Sequence, residues 1–166
     1  GGTAPGGSAE DTALRWQKTL NKSGREVALG EDLAIVIQVH IADSEEKAIR
    51  EAEPFFQEQL KALAPLGRFP KLTEDQIQAT YDPSLAPTVG LPTLKDAVND
   101  GSWLCGPPDH IAEKIGDLLD RFHNIERISV GAGALGIPPS VIRDDISWFG
   151  DAVLPRFIED SHTAVV

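Results

Sequence analysis

The sequence predicts an α/β fold with parallel strands, on three observations. Leu33 to Asp43 (LAIVIQVHIAD) is β-branched and almost continuously apolar, which is typical of a strand covered on both faces in a parallel sheet. A second short strand, RISVG at residues 127–131, follows much later. Segments with apolar residues at helical spacing lie before, between and after these two strands. Strands that alternate with helices are typical of parallel βαβ units.

The first helix and the long helix after the first strand have clear end signals. Apolar residues recur at helical spacing from Glu10 to about Lys22, and Ser23-Gly24 ends that run. Asp43 lies three residues before Glu46, which predicts an N-cap with its reciprocal partner. The helix that follows has an apolar stripe along one side and a kink expected at Pro54. The stripe comprises Ala48, Ile49, Ala52, Phe56, Leu60 and Leu63.

The second half of the chain contains an irregular stretch and then two more helices. Residues 66–104 carry four prolines and no sustained period, and long irregular excursions in compact domains are usually functional or mobile. A helix is predicted from Pro108, and the last helix is predicted from Val141 to Leu154, ended by Pro155. Their expected buried residues are Ile111, Ile115, Leu118 and Phe122 in the first, and Val141, Ile142, Ile146, Phe149 and Val153 in the second.

Gly131, Gly133 and Gly136 match the spacing G-x-G-x-x-G, but their context does not predict a dinucleotide site. That site needs its third glycine in the first turn of a helix and a further strand with an acidic residue about 20 positions later. Here Gly136 precedes Ile137-Pro138-Pro139, and a residue before proline is disfavoured in helical conformation. The glycines are therefore interpreted as a loop near the end of the fold.

Composition limits the classes of partner and compartment. The chain has 166 residues, which suits one domain, and a formal net charge of −11, which disfavours binding to nucleic acid or anionic lipid. Its single cysteine, Cys105, excludes an internal disulfide and favours a reducing, cytoplasmic location. The longest apolar stretch, Leu33 to Ile37, is far shorter than a membrane span.

Three segments in order carry a family resemblance. They are VHIADSEEKAIREAEPFF, LCGPPDHIAEKIGDLLDRF and ISVGAGALGIPPSVIRDDISWFGDAVLPRF. Their order and spacing resemble the C-terminal third to half of the bacterial luciferase-like monooxygenases, over most of residues 10–158. One departure is Pro107, which stands where the family has a capping threonine and so weakens the start of that helix.

The resemblance implies a partial TIM (β/α)8 barrel, made of C-terminal strand-helix units with a long irregular insertion. Residues 33–43 would be the seventh strand, residues 127–131 the eighth and residues 141–154 the closing helix. Residues 66–104 would form a mobile, lid-like insertion over the active-site mouth, with a flexible stretch at 1–9 and a tail at 159–166. Since two parallel strands leave two open edges, we expect the chain to be a fragment completed by other polypeptide.

Barrel active sites lie at the carboxyl ends of the strands, which selects His40, Gly131 and Gly133. His40 either points into the pocket as a catalytic proton donor, or is a half-buried histidine bonded to a backbone carbonyl. Gly131 and Gly133 either let the cofactor approach closely, or serve a turn that needs positive φ. Gln38 shares a face with His40 and is interpreted as either a pocket residue or a structural polar group.

Four other residues could have a functional role, but a position in solvent or in the core also explains each of them. Arg68, Lys71 and Tyr81 could close over a bound anion or substrate, or lie in a solvated loop. Cys105 precedes a helix, a position that lowers thiol pKa, but it has no neighbouring base in sequence and suits packing better. The sequence predicts no metal site, because the histidines lack ligand spacing; they are His110, His123 and His162.

By resemblance, the function expected is a flavin-dependent monooxygenase that uses reduced FMN, dioxygen and a small organic substrate. Two alternatives remain: a deazaflavin-dependent oxidoreductase of the same family, and a non-catalytic remnant that acts as a docking or oligomerising module. The expected partners are a flavin reductase and either further copies of the chain or the missing part of the barrel.

Overall fold

The computed structural model describes residues 9–69, 72–82 and 84–158. Its elements in chain order are α1 (Ala9–Lys22), β1 (Ala34–Ile41), α2 (Glu45–Leu63), a 3-10 turn (Ala64–Leu66), α3 (Glu74–Tyr81), α4 (Ala86–Val89), α5 (Leu94–Asn99), β2 (Trp103–Gly106), α6 (Pro108–Arg121), β3 (Arg127–Gly131), α7 (Pro139–Trp148), a π-helical turn (Phe149–Val153) and α8 (Pro155–Ile158). Residues 1–8 and 159–166, Lys71 and His162 lie outside the described residues, as do the predictions made for them.

The sheet is parallel and has three strands in the order β2-β1-β3. β2 pairs with the carboxyl half of β1, from Gln38 opposite Trp103 to Ile41 opposite Gly106. β3 pairs with the amino half, from Ala34 opposite Arg127 to Gln38 opposite Gly131. The prediction of two strands was therefore wrong. β2 was missed because its four residues, WLCG, are too few to show a strand period.

The prediction that residues 66–104 are irregular was also wrong, because α3, α4 and α5 lie within them. Capping boxes begin two of these helices: Thr73 with Gln76 at α3, and Thr93 with Asp96 at α5. The helices have eight, four and six residues, which is too short for an apolar period to stand out among the prolines.

The N-cap of the long helix α2 lies one residue later than the predicted cap, Asp43. Ser44 is the N-cap, and its side chain accepts a hydrogen bond from the Lys47 N–H. Asp43 instead pairs with the Lys47 ammonium at 2.6 Å on the helix surface. At α6 the prediction of a weak start is confirmed, since Pro107 provides no side-chain cap.

Two apolar clusters hold the helices on the sheet. One comprises Ala13, Leu33, Ile35, Ile37, Val39, Ile41, Leu104, Ile111, Ala112, Ile115, Phe122 and Val153. The other comprises Ala42, Ala48, Ala52, Phe56, Leu60, Ala64, Phe69, Leu94, Ala97, Trp103 and Cys105. The odd-numbered residues of β1 thus face the first cluster, with α1 and α6. On the other face Val36 is 42% exposed, so the prediction of a strand covered on both faces fails at that end of β1.

The C-terminal helix differs from its prediction in register. It ends as α7 at Trp148, continues as a π turn and resumes as α8 beyond Leu154. Ile146, predicted to be buried, is 60% exposed, whereas its neighbour Asp145 is 2% exposed. The inward side of α7 is therefore set by a polar group that the apolar pattern did not predict. No helix in the described ranges is long and apolar enough to cross a membrane.

Candidate functional site

The polar centre of the described fold is a contact between His40 near the end of β1 and Asp145 of α7. The Nδ1 atom of His40 lies 2.9 Å from Oδ2 of Asp145. Both side chains are buried, at 6% and 2% exposure. Buried charged groups are stable only when they are paired and hydrogen-bonded, so each residue depends on the other.

Asp145 also accepts a hydrogen bond from the backbone N–H of Ile41, which has no partner in the described sheet. The N–H groups of Gln38 and Ala42 donate toward β2, to Ser102 and Gly106. Successive backbone N–H groups along a strand point to opposite sides, so the N–H of Ile41 points toward the β3 side of β1. β3 has already ended there, since its last residue, Gly131, pairs with Gln38. Oδ1 of Asp145 accepts the Ile41 N–H there at 2.8 Å. One carboxylate thus replaces the missing strand partner and holds the imidazole.

Glu51 of α2 lies on the other side of the imidazole. Its Oε2 atom is 3.4 Å from Nε2 of His40, and Nε2 is buried and makes no hydrogen bond. Burial alone lowers the pKa of His40, but the hydrogen bond and charge of Asp145, together with the nearby negative charge of Glu51, outweigh it. The pKa of His40 is therefore raised above its usual 6.5.

Gln38 connects β1 to the glycine segment after β3. In the orientation that satisfies its amide, the nitrogen donates to the carbonyl oxygens of Gly131 at 3.0 Å and Gly133 at 3.3 Å. A Cβ atom on Gly131 would lie 2.8 Å from this amide. Neither glycine has positive φ, whereas Gly136 does, at 86°. Positive φ thus requires glycine at Gly136, and the space that a Cβ on Gly131 would need is taken by the Gln38 amide.

Replacing Gly131 by alanine should lower the free energy of unfolding by about 1–2 kcal/mol, since the Gln38 amide must move and lose its two bonds. Gly133→Ala is the matched control, because its Cβ would meet Ile142 at an ordinary 3.6 Å. It should change stability by less than about 0.5 kcal/mol. Urea unfolding measures both values, and equal losses for the two variants would contradict the packing of Gln38 on Gly131.

The remaining candidates differ in how far they are exposed. Tyr81 is 64% exposed at the end of α3, and Arg68 is exposed after the 3-10 turn. Cys105 is fully buried opposite His40 in the register of β1 and β2. Burial, and then the charges of nearby carboxylates, raise the pKa of its thiol to about 12. Cys105 is therefore a packing residue rather than a thiolate nucleophile.

Sequence reasoning found His40 but missed both of the carboxylates beside it, Glu51 and Asp145. In the described structure His40 is buried, and its Nδ1 atom contacts the carboxylate of Asp145. The signal for Glu51 was its position about two turns into α2, the helix that follows β1. Asp145 had one signal: an acidic residue at a place in α7 where the apolar stripe should have continued.

The comparisons identify the family. The sequence model of the family described as luciferase-like monooxygenase matches residues 1–122. The chain belongs to this family. The resemblance drawn from the sequence is thus confirmed, and it lies mostly in the segments from α1 to the end of α6. No curated protein matches the sequence of this luciferase-like family member.

Two solved structures share its fold. The monooxygenase RslO1 from Streptomyces bottropensis has a TM-score of 0.55 and 14% identity, with 94% of this chain and 41% of that one covered. The oxygenating constituent of 3,6-diketocamphane monooxygenase from the CAM plasmid of Pseudomonas putida, in complex with FMN, has a TM-score of 0.51 and 18% identity, with 88% and 39% covered. This luciferase-like chain therefore spans about two fifths of the length of either protein.

Proposed function

We propose that the chain is the C-terminal part of a luciferase-like monooxygenase that uses reduced flavin and dioxygen on a small organic substrate. Family membership and the FMN-bound structural neighbour support this proposal. The observation that carries it is the gathering of Gln38, His40 and Asp145 at the carboxyl ends of parallel strands. Barrel enzymes build their active sites at these ends.

The architecture supports a partial barrel. β1 and β3 lie side by side, and α6 packs on the face of β1 that carries Ile35 and Ile37. Neighbouring strands of a (β/α)8 barrel are likewise parallel and covered by outer helices; here β2 comes between β1 and β3 in the chain and pairs with the other edge of β1. Val36, Gln38 and His40 then face the barrel interior. The exposure of Val36 is expected when the opposite barrel wall is not present.

The described residues do not fit a flavin by themselves. The space in front of Gly131 is filled by the Gln38 amide, and His40 is buried. The charges that act on His40 both belong to carboxylates, Asp145 and Glu51, which would repel a flavin phosphate. We therefore assign the phosphate contacts to polypeptide outside the described residues. Within the proposal, His40 stays the candidate proton-transferring group, and Gly131 and Gly133 stay candidates for lining the pocket mouth.

A groove beside β3 supports completion by further polypeptide. The second edge of β3 is unpaired in the described part of the chain. An apolar groove of about 470 Å³ runs beside it; its apolar lining residues are Ile115, Leu119, Ile125, Ile128, Val130, Phe149, Leu154 and Phe157. An open strand edge over an apolar groove fits another strand-helix unit. The same groove favours the second candidate function, a docking or oligomerising module without catalysis.

The experiment uses the complete product of the gene. It is titrated with FMN and with a deazaflavin while cofactor fluorescence is recorded, and reduced FMN is then supplied with a panel of small ketones, aldehydes and thioethers. The expected result is FMN binding and substrate-dependent oxygen uptake, with one atom of labelled dioxygen in the product. Deazaflavin binding with oxygen-independent reduction, or an oligomer that binds neither cofactor, would replace the proposal with one of its alternatives.

A further inference from the structure

We propose that His40 is a protonation-dependent link whose Nε2 proton ties Glu51 of α2 to the carboxyl end of β1, while its Nδ1 proton remains with Asp145. The proposal goes beyond the monooxygenase reaction and does not depend on it. It rests on the two distances from the imidazole, 2.9 Å to Asp145 and 3.4 Å to Glu51, and on a buried Nε2 atom without a hydrogen bond.

The two carboxylates hold the imidazole unequally, and this decides which proton leaves. Asp145 is almost fully buried and already fixed by the Ile41 N–H, so it keeps one oxygen on Nδ1. Glu51 is 44% exposed, and its oxygen is beyond a normal hydrogen-bond length. The less strongly held proton is therefore the one on Nε2. Neutral His40 should be the Nδ1–H tautomer, with its Nε2 lone pair facing Glu51.

Deprotonation therefore affects α2 and α7 differently. At low pH the imidazolium attracts Glu51 and holds the first half of α2 against the strand end. At high pH a lone pair faces a carboxylate, and this attraction is lost. The Asp145 contact survives because its donor hydrogen stays on Nδ1. The apolar residues Ala48, Ala52 and Phe56 still anchor α2, so the change is a local loosening and not a detachment.

Few other titratable groups face the imidazole. β2 contributes Cys105, whose thiol stays neutral because burial raises its pKa to about 12. α2 contributes Glu51, and α7 contributes Asp145. Glu45 at the start of α2 belongs to a separate pair with His110 of α6, at 3.2 Å. A pH effect confined to His40 can thus be distinguished from one at His110 by removing Glu51 alone.

The test combines two NMR measurements on the full chain. The ring nitrogens of His40 are followed through its titration, and hydrogen exchange is measured for the α2 amides of residues 48–52, corrected for intrinsic rates. We expect Nε2 to lose its proton while Nδ1 keeps one. Protection of the α2 amides should fall about twofold to fivefold across this titration, the factor typical of one partly exposed ion pair. Protection of the α7 amides should fall less than that of the α2 amides.

Glu51→Gln should abolish the pH dependence of α2 exchange and leave the His40 tautomer as it is. Glu58→Gln is the matched control on the same helix, because Glu58 is exposed and pairs with Lys61 instead. Both positions are at the surface, so both variants should fold. The proposal is overturned if Nδ1 loses the proton, if wild-type α2 protection is constant across the titration, or if Glu51→Gln retains the wild-type pH dependence.

Discussion

Replacing Asp145 by alanine is expected to lower the free energy of unfolding by about 3–5 kcal/mol, the cost of breaking a buried charge pair. The carboxylate accepts from both the His40 ring and the Ile41 N–H, and it is 2% exposed. Its removal leaves two buried donors without a partner and a cavity between α7 and β1. Urea unfolding at neutral pH measures the loss.

Asp144→Ala is the matched control, since Asp144 is the adjacent acidic residue of α7 and is exposed. It should change stability by no more than about 0.5 kcal/mol. Asp145→Asn keeps an acceptor for the Ile41 N–H but loses the charge. Its loss of unfolding free energy should therefore lie between those of Asp145→Ala and Asp144→Ala. If Asp145→Ala and Asp144→Ala unfold at the same urea concentration, Asp145 does not hold α7 on the strand end.

The pH dependence of stability provides a second measure of the contact between His40 and Asp145. The pKa of His40 is raised in the folded state, so protonation stabilises the fold. This contribution is fully present below about pH 6.5, the unfolded pKa, and is lost as the pH rises through the folded pKa. Wild-type stability should therefore decline over that interval. In Asp145→Asn the decline should be smaller, because the main group that raises the His40 pKa has lost its charge.

The long periodic elements of this fold could be predicted from sequence. β1, α2 and α6 carry apolar residues over 8 to 19 positions, enough to distinguish a strand period from a helical one. β2, α3, α4 and α5 have 4 to 8 residues each; capping boxes begin α3 and α5, and β2 is held by its pairing with β1. A helix of eight residues or fewer completes only about two turns, and a four-residue strand completes two periods, so neither shows a sustained apolar period. The insertion at residues 66–104 was therefore interpreted as irregular.

The site was only partly predictable for a different reason. His40 could be selected because it interrupts an apolar strand near its carboxyl end. Asp145 lies 105 positions away, and its burial depends on where β3 stops relative to Ile41, which is a fact of register. The amide of Gln38 on Gly131 likewise depends on the pairing of two strands. Contacts of this kind depend on the register of the assembled sheet, so the local sequence pattern does not predict them.

Phe122→Ala is the other substitution for which we expect a large effect, about 3–5 kcal/mol of unfolding free energy. Phe122 is 1% exposed, at the end of α6, and its Cβ lies 3.4 Å from the position that a Cβ on Gly30 would occupy. Its ring packs in the cluster that includes Leu33, Ile111 and Ile115. The truncation would leave a void among these side chains, and surrounding groups held by the sheet can collapse only partly.

Leu119→Ala is the matched control, because Leu119 lies on the same last turns of α6 but is 37% exposed and borders the groove beside β3. In the isolated chain, Leu119→Ala should lower the free energy of unfolding by about 1 kcal/mol or less, well below the effect of Phe122→Ala. The two variants separate the core from the proposed docking surface. If the groove is covered by further polypeptide in the complete gene product, the cost of Leu119→Ala should rise there toward that of a buried leucine, while the cost of Phe122→Ala stays the same. An unchanged Leu119 cost would show that this groove remains open to solvent.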